Sequence, residues 1–458
     1  MNKIFIVNSY QGNVTLLEDP GFIERLSVLL NAKITGFGNG TDQKYDWRER
    51  IPSYSNPVEI QLDESSLNNY VATFIMSRSR FFKFKNRTSA KDHNLDDPFL
   101  LRSQAMAFLY YAIETLKGEN PQLVLHARIP HTGLDLSFWY AAKHLGISSL
   151  FAWQSRRPYH FMLWDELSSC TKFDELRSLR PIEELKIERT ADQDWFYMKK
   201  KSNSILSKIC SRTNRSMLMR GLQMLQQSSL EVFSVEYRAH SRKRRLSERQ
   251  YLKNFSQAVS NVGDSEVPFI YFPLHREPEA STLPRAGVYA DQLYGLEQLH
   301  AKCPPGWKIF VKENPKQGYF CRDEYFFTRL SAMENVVILP RDQPTSKLIE
   351  SSRLVATICG TAGWEAVSSG KPVVYFASPW YQDLTGTFKF DNQTCLETIS
   401  KFEINHSTLE NQISSMESKM PRGLFFRRNV ELPQDELKNC EDCAVGISQF
   451  LIKNSFLR

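Results

Sequence analysis

The stretch that decides the fold is RLVATICGTAGWEAVSSGKPVVYFASPW, residues 353–380. Leu354 to Ile358 form an apolar run rich in β-branched residues, which predicts a strand buried on both faces of a parallel sheet. A glycine turn from Gly360 to Gly363 interrupts this run, and Val373 to Ala377 predicts the next strand. The stretch therefore predicts a strand, a turn, a helix and a second strand of an α/β domain.

The glycine turn also predicts an anion-binding site. We expect Thr361 to cap a helix that begins near Gly363 and Trp364, with Glu365 in its first turn. Helix N-termini favour anions, and ligands of open α/β sheets bind beyond the carboxyl ends of the strands. Gly363 would let a ligand approach the main chain, so Gly363→Val should impair binding before it impairs folding. An ordinary strand-to-helix turn with Trp364 in the core is the alternative interpretation.

Composition limits the class of protein. The chain has 458 residues, of which 41% are hydrophobic and 24% charged, which is enough for two or three globular domains. Its net charge of +7 suits a protein that binds anionic ligands without requiring nucleic acid as a partner. The eight cysteines are scattered, which predicts reduced thiols, and Cys440 and Cys443 lack the further ligands that zinc needs. We expect no metal site.

The location of the protein is predicted from its N-terminus and its basic clusters. No apolar run approaches the roughly 18 residues of a membrane span, and the start, MNKIFIVNSYQGN, predicts a first strand rather than a signal peptide. Lys199 to Lys201 and Arg242 to Arg245 could bind an anionic membrane surface, although charge runs are usually solvated helix faces. We expect a cytoplasmic protein with access to the inner membrane.

The order of strand and helix patterns predicts an α/β fold with two Rossmann-like domains and a helical insertion between them. The second domain should be doubly wound, with strands near residues 267, 307, 336, 354 and 373. The predicted segments are an N-terminal α/β domain (1–165), a helical bridge (166–262), a C-terminal α/β domain (263–385) and a C-terminal helical segment (386–458).

Polar side chains follow three predicted strands of the second domain. His275, Arg276 and Glu279 follow the first strand, and Lys312 and Glu313 follow the second. The turn that starts at Gly360 follows the strand at 354. Because parallel strands end at one edge of the sheet, these groups should form one site for a phosphorylated ligand with a sugar attached.

The first domain offers a second set of candidate groups. His131 and Asp135 follow the predicted strand 123–127, at the start of a helix, and His131 is either a ligand or acid/base group or a helix-capping histidine. The motifs GxxxxGK[ST] and GxGxxG are absent, so neither ATP hydrolysis nor hydride transfer is the natural interpretation.

Four blocks of the second domain carry a family resemblance: FPLHREPEAST (272–282), GVYADQLYGLEQL (287–299), PPGWKIFVKENP (304–315) and RLVATICGTAGWEAVSSGKPVVYFASPWY (353–381). Together they resemble the capsular and surface polysaccharide biosynthesis glycosyltransferases of the GT-B fold, including the group that handles Kdo. The resemblance covers about 267–382 well and 123–166 more loosely. It implies that seven residues contact the donor nucleotide: His275, Glu279, Lys312, Glu313, Thr361, Gly363 and Glu365. Asn314 stands where the family usually has histidine.

The expected activity is transfer of a sugar from a nucleotide-sugar donor to a growing surface or capsular polysaccharide or a glycolipid. Lys312, Arg276 and the helix that follows Gly360 would stabilise the leaving phosphate. The predicted catalytic groups are His131, Asp135 and Glu279. No strand end carries an acidic metal motif, so we expect neither a metal nor another cofactor.

The expected partners are the donor, the acceptor, the inner-membrane surface and capsule assembly proteins, without nucleic acid. Two alternatives remain open: a nucleotide-sugar epimerase on the same two domains, and a non-catalytic carbohydrate- or nucleotide-binding partner in a capsule assembly complex. Conversion of a nucleotide-sugar in the absence of an acceptor would indicate the epimerase.

Overall fold

A computed structural model of the chain shows two α/β domains, each with its own sheet. The structure describes residues 1–8, 15–37, 59–77, 97–131, 133–157, 159–167, 173–179, 235–260, 267–277, 279, 282–319, 321–426 and 436–457. The predicted α/β architecture with two Rossmann-like domains is confirmed. The exact domain boundaries stay predictions.

The first domain is a five-stranded sheet in the order β2-β1-β3-β4-β5. Its strands are β1 (Asn2–Val7), β2 (Ala32–Phe37), β3 (Leu123–His126), β4 (Ser148–Gln154) and β5 (Phe161–Trp164), and its helices are α1 (Pro20–Leu30), α2 (Glu64–Ser77), α3 (Pro98–Glu119) and α4 (Gly133–His144). β1 to β4 are parallel, and β5 runs antiparallel to β4. The apolar runs of β1 and β3 are buried, as expected for strands covered on both faces.

A glycine allows close packing in the edge strand of the first sheet. Gly36 and Phe37 end the strand β2. β2 is paired along its whole length with β1, and a Cβ on Gly36 would lie only 2.7 Å from the backbone nitrogen of Ile6. Glycine therefore permits close approach of two strands here, a common role of glycine within strands.

The predicted helical bridge lies largely outside the described residues, including the cluster Lys199 to Lys201. Its described part includes a short 3-10 turn (Phe173–Glu175) and the helix α5 (Val235–Ala258). Tyr251 of α5 is buried and lies 6.1 Å from the ring of Phe327, so α5 packs against the second domain. Arg242 and Arg245 are exposed on this helix.

The second domain is a six-stranded, fully parallel sheet in the order β11-β10-β9-β6-β7-β8. Its strands are β6 (Phe269–Pro273), β7 (Lys308–Lys312), β8 (Val336–Leu339), β9 (Leu354–Thr357), β10 (Val373–Tyr375) and β11 (Thr387–Lys389), and its helices are α6 (Gln292–Ala301), α7 (Glu324–Ser331), α8 (Thr345–Ser351) and α9 (Thr361–Ser368). The five predicted strands are all present, and β11 was missed. The carboxyl ends of β6, β7 and β9 meet at one edge of the sheet.

The C-terminal segment returns to the first domain. It contains α10 (Leu396–Ser400), α11 (His406–Ser418) and α12 (Glu436–Lys453). After α11, the backbone N–H of Leu16 donates to the carbonyl of Phe425 at 3.1 Å, and α12 packs on α1. Cys443, Ile447 and Phe450 of α12 share a buried cluster with residues of β1 and α1. The last helix therefore completes the core of the first domain.

Aromatic and charged side chains join the two domains. The guanidinium of Arg285 lies 4.6 Å from the ring centroid of Trp164 and 5.2 Å from that of Trp153, and it donates to the carbonyl of Ser378 at 2.8 Å. Arg157 forms a buried ion pair with Glu417 of α11. Within the described ranges, no helix combines the length and apolar character that crossing a membrane requires.

Candidate functional site

A cavity opens at the edge of the second sheet where β6, β7 and β9 end. Its walls are formed by Tyr271, Pro273, Leu274, His275, Lys312, Glu313, Asn314, Pro315, Thr345, Thr357, Gly360, Thr361, Ala362 and Glu365. Six of the predicted site residues are therefore brought together here: His275, Lys312, Glu313, Gly360, Thr361 and Glu365. The location agrees with the rule that parallel sheets bind ligands beyond the carboxyl ends of their strands.

The N-terminal end of α9 faces this cavity, but its details differ from those predicted. Gly360, not Thr361, is the N-cap residue, and α9 begins at Thr361. Gly360 has no side chain with which to cap the helix. Glu365 consequently lies in the second turn rather than the first. Thr361 and Ala362 line the cavity, so the positive end of the helix dipole is directed at it.

Gly363 has a packing role that was not predicted, and its contact with the donor stays a prediction. A Cβ at this position would overlap the hydroxyl of Tyr381 and would lie 3.0 Å from Cγ2 of Thr357. Gly363 is buried and is not among the residues that line the cavity. A valine here should therefore disturb folding directly. Trp364, as the alternative interpretation held, is a core residue, and its ring lies 4.5 Å from that of Trp380.

Lys312 is a buried cation at the end of β7, with only 4% of its surface exposed. Its ammonium donates to the carbonyl of Gln343 at 2.6 Å and to Oγ1 of Thr345 at 2.8 Å. Burial lowers its pKa to about 8, while the carboxylates of Glu365 and Asp342 oppose the shift. Lys312 is therefore mostly charged at neutral pH, and an ammonium has three donors. Within the described part of the chain two of these donors are used, which leaves the third for a ligand.

Glu313 lines the cavity, but its carboxylate is engaged by an arginine. Arg322 donates from Nε to Oε2 of Glu313 at 2.7 Å and from Nη1 to Oε2 of Glu277 at 2.5 Å. All three side chains are buried, and the backbone N–H of Asn314 also donates to Glu313 at 2.9 Å. Through Arg322, Glu313 is therefore linked to Glu277 beyond the end of β6. The donor contact that the resemblance implied stays a prediction.

His275 lies between β6 and the α9 turn. Its Nε2 is 3.3 Å from Oγ1 of Thr357 and accepts from the backbone N–H of Cys359 at 3.5 Å. A Cβ on Gly360 would come within 2.8 Å of the ring, so glycine is required for this approach. Burial lowers the pKa of His275 to about 4, and the positive charge of Arg322 acts in the same direction. The imidazole is therefore neutral at neutral pH.

Arg276 and Glu279 lie beside the cavity, outside its lining. The two side chains are 4.0 Å apart and are 32% and 44% exposed. Burial raises the pKa of the Cys359 thiol; the charge of Arg285 opposes this shift and the Glu279 carboxylate adds to it. Glu279 is therefore close to the end of β9. Its catalytic role and the phosphate contact of Arg276 stay predictions.

His131 and Asp135 are buried in the first domain and do not line the cavity. Nδ1 of His131 donates to the carbonyl of Ile129 at 2.7 Å. Asp135 lies in the first turn of α4 and accepts from the N–H of Leu136 at 3.0 Å. Their roles on the acceptor side stay predictions.

Among the cavity residues that were not predicted from the sequence, three carry hydroxyl groups: Tyr271, Thr345 and Thr357. Thr345 begins a helix that follows the end of β8, so the strand-end rule that selected Lys312 would also have selected it. Thr357 is the last residue of β9. Tyr271 has no such signal, because it lies in the middle of an apolar run.

In the described part of the chain, no three His, Cys, Asp or Glu side chains are grouped closely enough to hold a metal ion. The polar side chains that line the cavity are a lysine, two carboxylates, a histidine, an asparagine, three threonines and a tyrosine. Neutralisation of an anionic ligand would therefore fall to Lys312 and the start of α9.

Comparison with known proteins points to the same part of the chain. Residues 283–392 match the family described as capsule polysaccharide biosynthesis protein. This segment contains ten of the fourteen residues that line the cavity, from Lys312 to Glu365. No curated protein matches the sequence significantly.

Solved structures with similar folds come from sugar-transferring and sugar-modifying enzymes. A β-Kdo 2,7 transferase, KpsC of Thermosulfurimonas dismutans, is 9% identical with a TM-score of 0.38, covering 99% of this chain and 100% of that one. A β-Kdo 2,4 transferase, also KpsC of that organism, is 13% identical with a TM-score of 0.27, covering 60% and 74%. The UDP-GlcNAc 2-epimerase of Methanocaldococcus jannaschii is 13% identical with a TM-score of 0.25, covering 90% and 98%. Such values carry no conclusion about activity.

Proposed function

We propose that the protein is a glycosyltransferase that moves a sugar from a nucleotide-sugar donor to a growing surface or capsular polysaccharide or a glycolipid. The observation that carries this proposal is the convergence of Lys312, His275 and the N-terminus of α9 on one cavity. A buried ammonium and a helix N-terminus both favour a phosphate group. The match of residues 283–392 to a capsule biosynthesis family supports the sugar polymer as the acceptor class.

The proposed chemistry breaks the bond between the anomeric carbon and the donor phosphate oxygen. The bonding electrons pass to that oxygen, and Lys312 and α9 stabilise the charge that develops there. An acceptor hydroxyl attacks the anomeric carbon and loses its proton to a base. For that base we propose His131 or Asp135 of the first domain, with Glu279 as a further catalytic candidate.

Three further properties belong to the proposal. The transfer needs no metal, so activity should survive dialysis against a chelator. The protein acts in the cytoplasm and at the inner-membrane surface, where exposed arginines such as Arg242 and Arg245 bind anionic lipid and salt releases it. Capsule assembly proteins are its proposed partners.

A transfer assay tests the function. The purified protein is incubated with CMP-, UDP- and GDP-sugars, each with and without an oligosaccharide or glycolipid acceptor. We expect nucleotide release from one class of donor only when the acceptor is present, together with a lengthened acceptor in mass spectrometry. Conversion of the donor sugar without acceptor would replace the proposal by an epimerase. Binding without any turnover would replace it by a non-catalytic binding protein.

A further inference from the structure

The backbone that follows β6 is held by a buried glutamine from α6. The N–H of His275 donates to Oε1 of Gln292 at 2.6 Å, and Nε2 of Gln292 donates back to the carbonyl of His275 at 3.1 Å. Gln292 is only 1% exposed. A primary amide offers one acceptor and two donors, so it satisfies a peptide group as a neighbouring strand would.

A second buried glutamine repeats this arrangement two residues further on. The N–H of Glu277 donates to Oε1 of Gln317 at 2.7 Å, and Nε2 of Gln317 donates to the carbonyl of Glu277 at 3.1 Å. Gln317 is 4% exposed and comes from the loop after β7. Two separate elements therefore fix the short segment from His275 to Glu277 beyond the end of its strand.

Arg322 ties the same segment to β7. Its side chain is fully buried, and besides its ion pairs with Glu277 and Glu313 it donates from Nη2 to the carbonyl of His275 at 3.2 Å. The guanidinium also lies 4.4 Å from the ring centroid of Phe326. A single arginine thus contacts both ends of the segment that carries His275.

The ring of His275 is oriented by its own contacts. Oγ1 of Thr357 accepts from the N–H of Gly360 at 3.1 Å, so its hydroxyl proton can be donated to Nε2 of His275. Because Nε2 also accepts from the N–H of Cys359, the ring proton of the neutral imidazole belongs on Nδ1. The charged groups around the ring are Arg322 behind it and Lys312, Glu313 and Glu365 in the shared cavity.

We propose that Gln292, Gln317 and Arg322 are positioning residues that present the Nδ1–H of His275 to the phosphate of the donor. The inference rests on the proposed function, since it names the donor as the ligand. Fixed hydrogen-bond donors stabilise developing charge without reorganisation, and they lose this advantage when their supports are loosened. His275 then binds the phosphate as a neutral donor, whereas Lys312 supplies the charge.

The test combines the ring state of His275 with ligand binding. In protein labelled with ¹⁵N-histidine, the ring signals of His275 are assigned by their absence in His275→Gln. We expect the Nδ1–H tautomer and no titration between about pH 5.5 and about pH 8.

In Gln292→Met, the titration midpoint of His275 should rise toward the ordinary value of about 6.5. Affinity for the bound nucleotide-sugar should fall roughly threefold to tenfold, the usual effect of one hydrogen bond. If Gln292→Met does not fold, the same titration and affinity measurements are made on Gln317→Met.

Gln154 provides a matched control. It also holds backbone through both ends of its amide, donating to the carbonyl of His160 at 2.8 Å and accepting from the N–H of Phe425 at 2.9 Å, but it lies in the first domain. Gln154→Met should lower the melting temperature and leave the His275 signals unchanged. Equal melting losses in Gln292→Met and Gln154→Met, with an unchanged His275 tautomer and midpoint in both, would overturn the proposal. An Nε2–H tautomer in the wild type would overturn it as well.

The two proposals fail in different ways. A wild-type protein that binds no nucleotide-sugar counts against the proposed function. The tautomer of His275 and its response to Gln292→Met are measured in the ligand-free protein, so they decide the positioning roles independently of turnover.

Discussion

Burial and neighbouring carboxylates have opposite effects on the pKa of Lys312. Its pKa of about 8 means that the ammonium form dominates below this pH and is lost above it. Only the charged form attracts a phosphate, so donor affinity should be highest below about pH 8 and should fall as the pH rises through that value. Titration calorimetry from about pH 6.5 to about pH 9.5 measures this. A flat profile would remove Lys312 from the donor site.

Glu365 provides a related test through its charge. Its carboxylate raises the pKa of Lys312, against the larger effect of burial. Glu365→Gln keeps the shape of the side chain and removes this support, so the fall in donor affinity should move to lower pH. The melting temperature should stay close to that of the wild type. An unchanged pH profile would show that the two side chains are not coupled.

Gly363 is a residue whose side-chain hydrogen cannot be replaced without displacing Tyr381. Gly363→Val should lower the free energy of unfolding by about 1–3 kcal/mol, the usual cost of overpacking. Gly118 of α3 is a suitable control, because a Cβ there meets nothing within 4 Å. Gly118→Ala should stabilise the protein by about 0.5–1 kcal/mol. Urea unfolding of both variants checks the pair, and equal stability of Gly363→Val and the wild type would contradict the packing role.

Among the elements, the segments that follow β6 and β7 and the turn that precedes α7 are joined by the ion triad of Glu277, Arg322 and Glu313. Arg322→Met would leave two carboxylates buried without their cation, so it should cost about 3–5 kcal/mol of stability. Arg329 also contacts two carboxylates, Glu297 at 2.8 Å and Asp291 at 2.7 Å, but it is partly exposed. Arg329→Met should cost at most about 1 kcal/mol. Chemical denaturation measures the free energy of unfolding of both variants. Equal losses of stability would contradict the larger contribution expected of the buried triad.

Most strands of the second domain could be predicted from the sequence alone, whereas the edge strands β2 and β11 could not. Apolar runs bounded by glycine or charge predicted β6 to β10, because strands buried on both faces need no partner information to be recognised. β2 and β11 are edge strands, and their pairing with β1 and β10 is decided by tertiary contacts. Once the strands were predicted, their carboxyl ends indicated the edge of the sheet at which the cavity lies.

The environment of each site residue was harder to predict. The sequence placed Glu313 at a strand end, but its carboxylate is engaged by Arg322, nine positions further on and behind a loop without periodic pattern. Likewise, the hydroxyl that fills the space beside Gly363 comes from Tyr381, beyond the following strand. Such contacts depend on how separate elements pack, which local patterns do not encode.

At the scale of the whole molecule, the last helix stabilises the domain in which the chain begins. Phe450 of α12 is buried in the cluster of the first domain. Phe450→Ala should cost about 3–5 kcal/mol, and hydrogen exchange should increase in β1 and α1 more than in β6 and β9. Phe99→Ala, at a side chain that is 81% exposed, should change stability by no more than about 0.5 kcal/mol. Increased exchange confined to the second domain would contradict this assignment of α12.

The central claim is that the edge of the second sheet binds a nucleotide-sugar through its phosphate. Calorimetric titration of the wild type and Lys312→Met with CMP-, UDP- and GDP-sugars at neutral pH tests it most directly. We expect one class of nucleotide-sugar to bind the wild type and Lys312→Met to bind it roughly 10- to 150-fold more weakly, the loss of one charge-assisted contact. Absence of binding across the panel, or undiminished binding by Lys312→Met, would contradict the account.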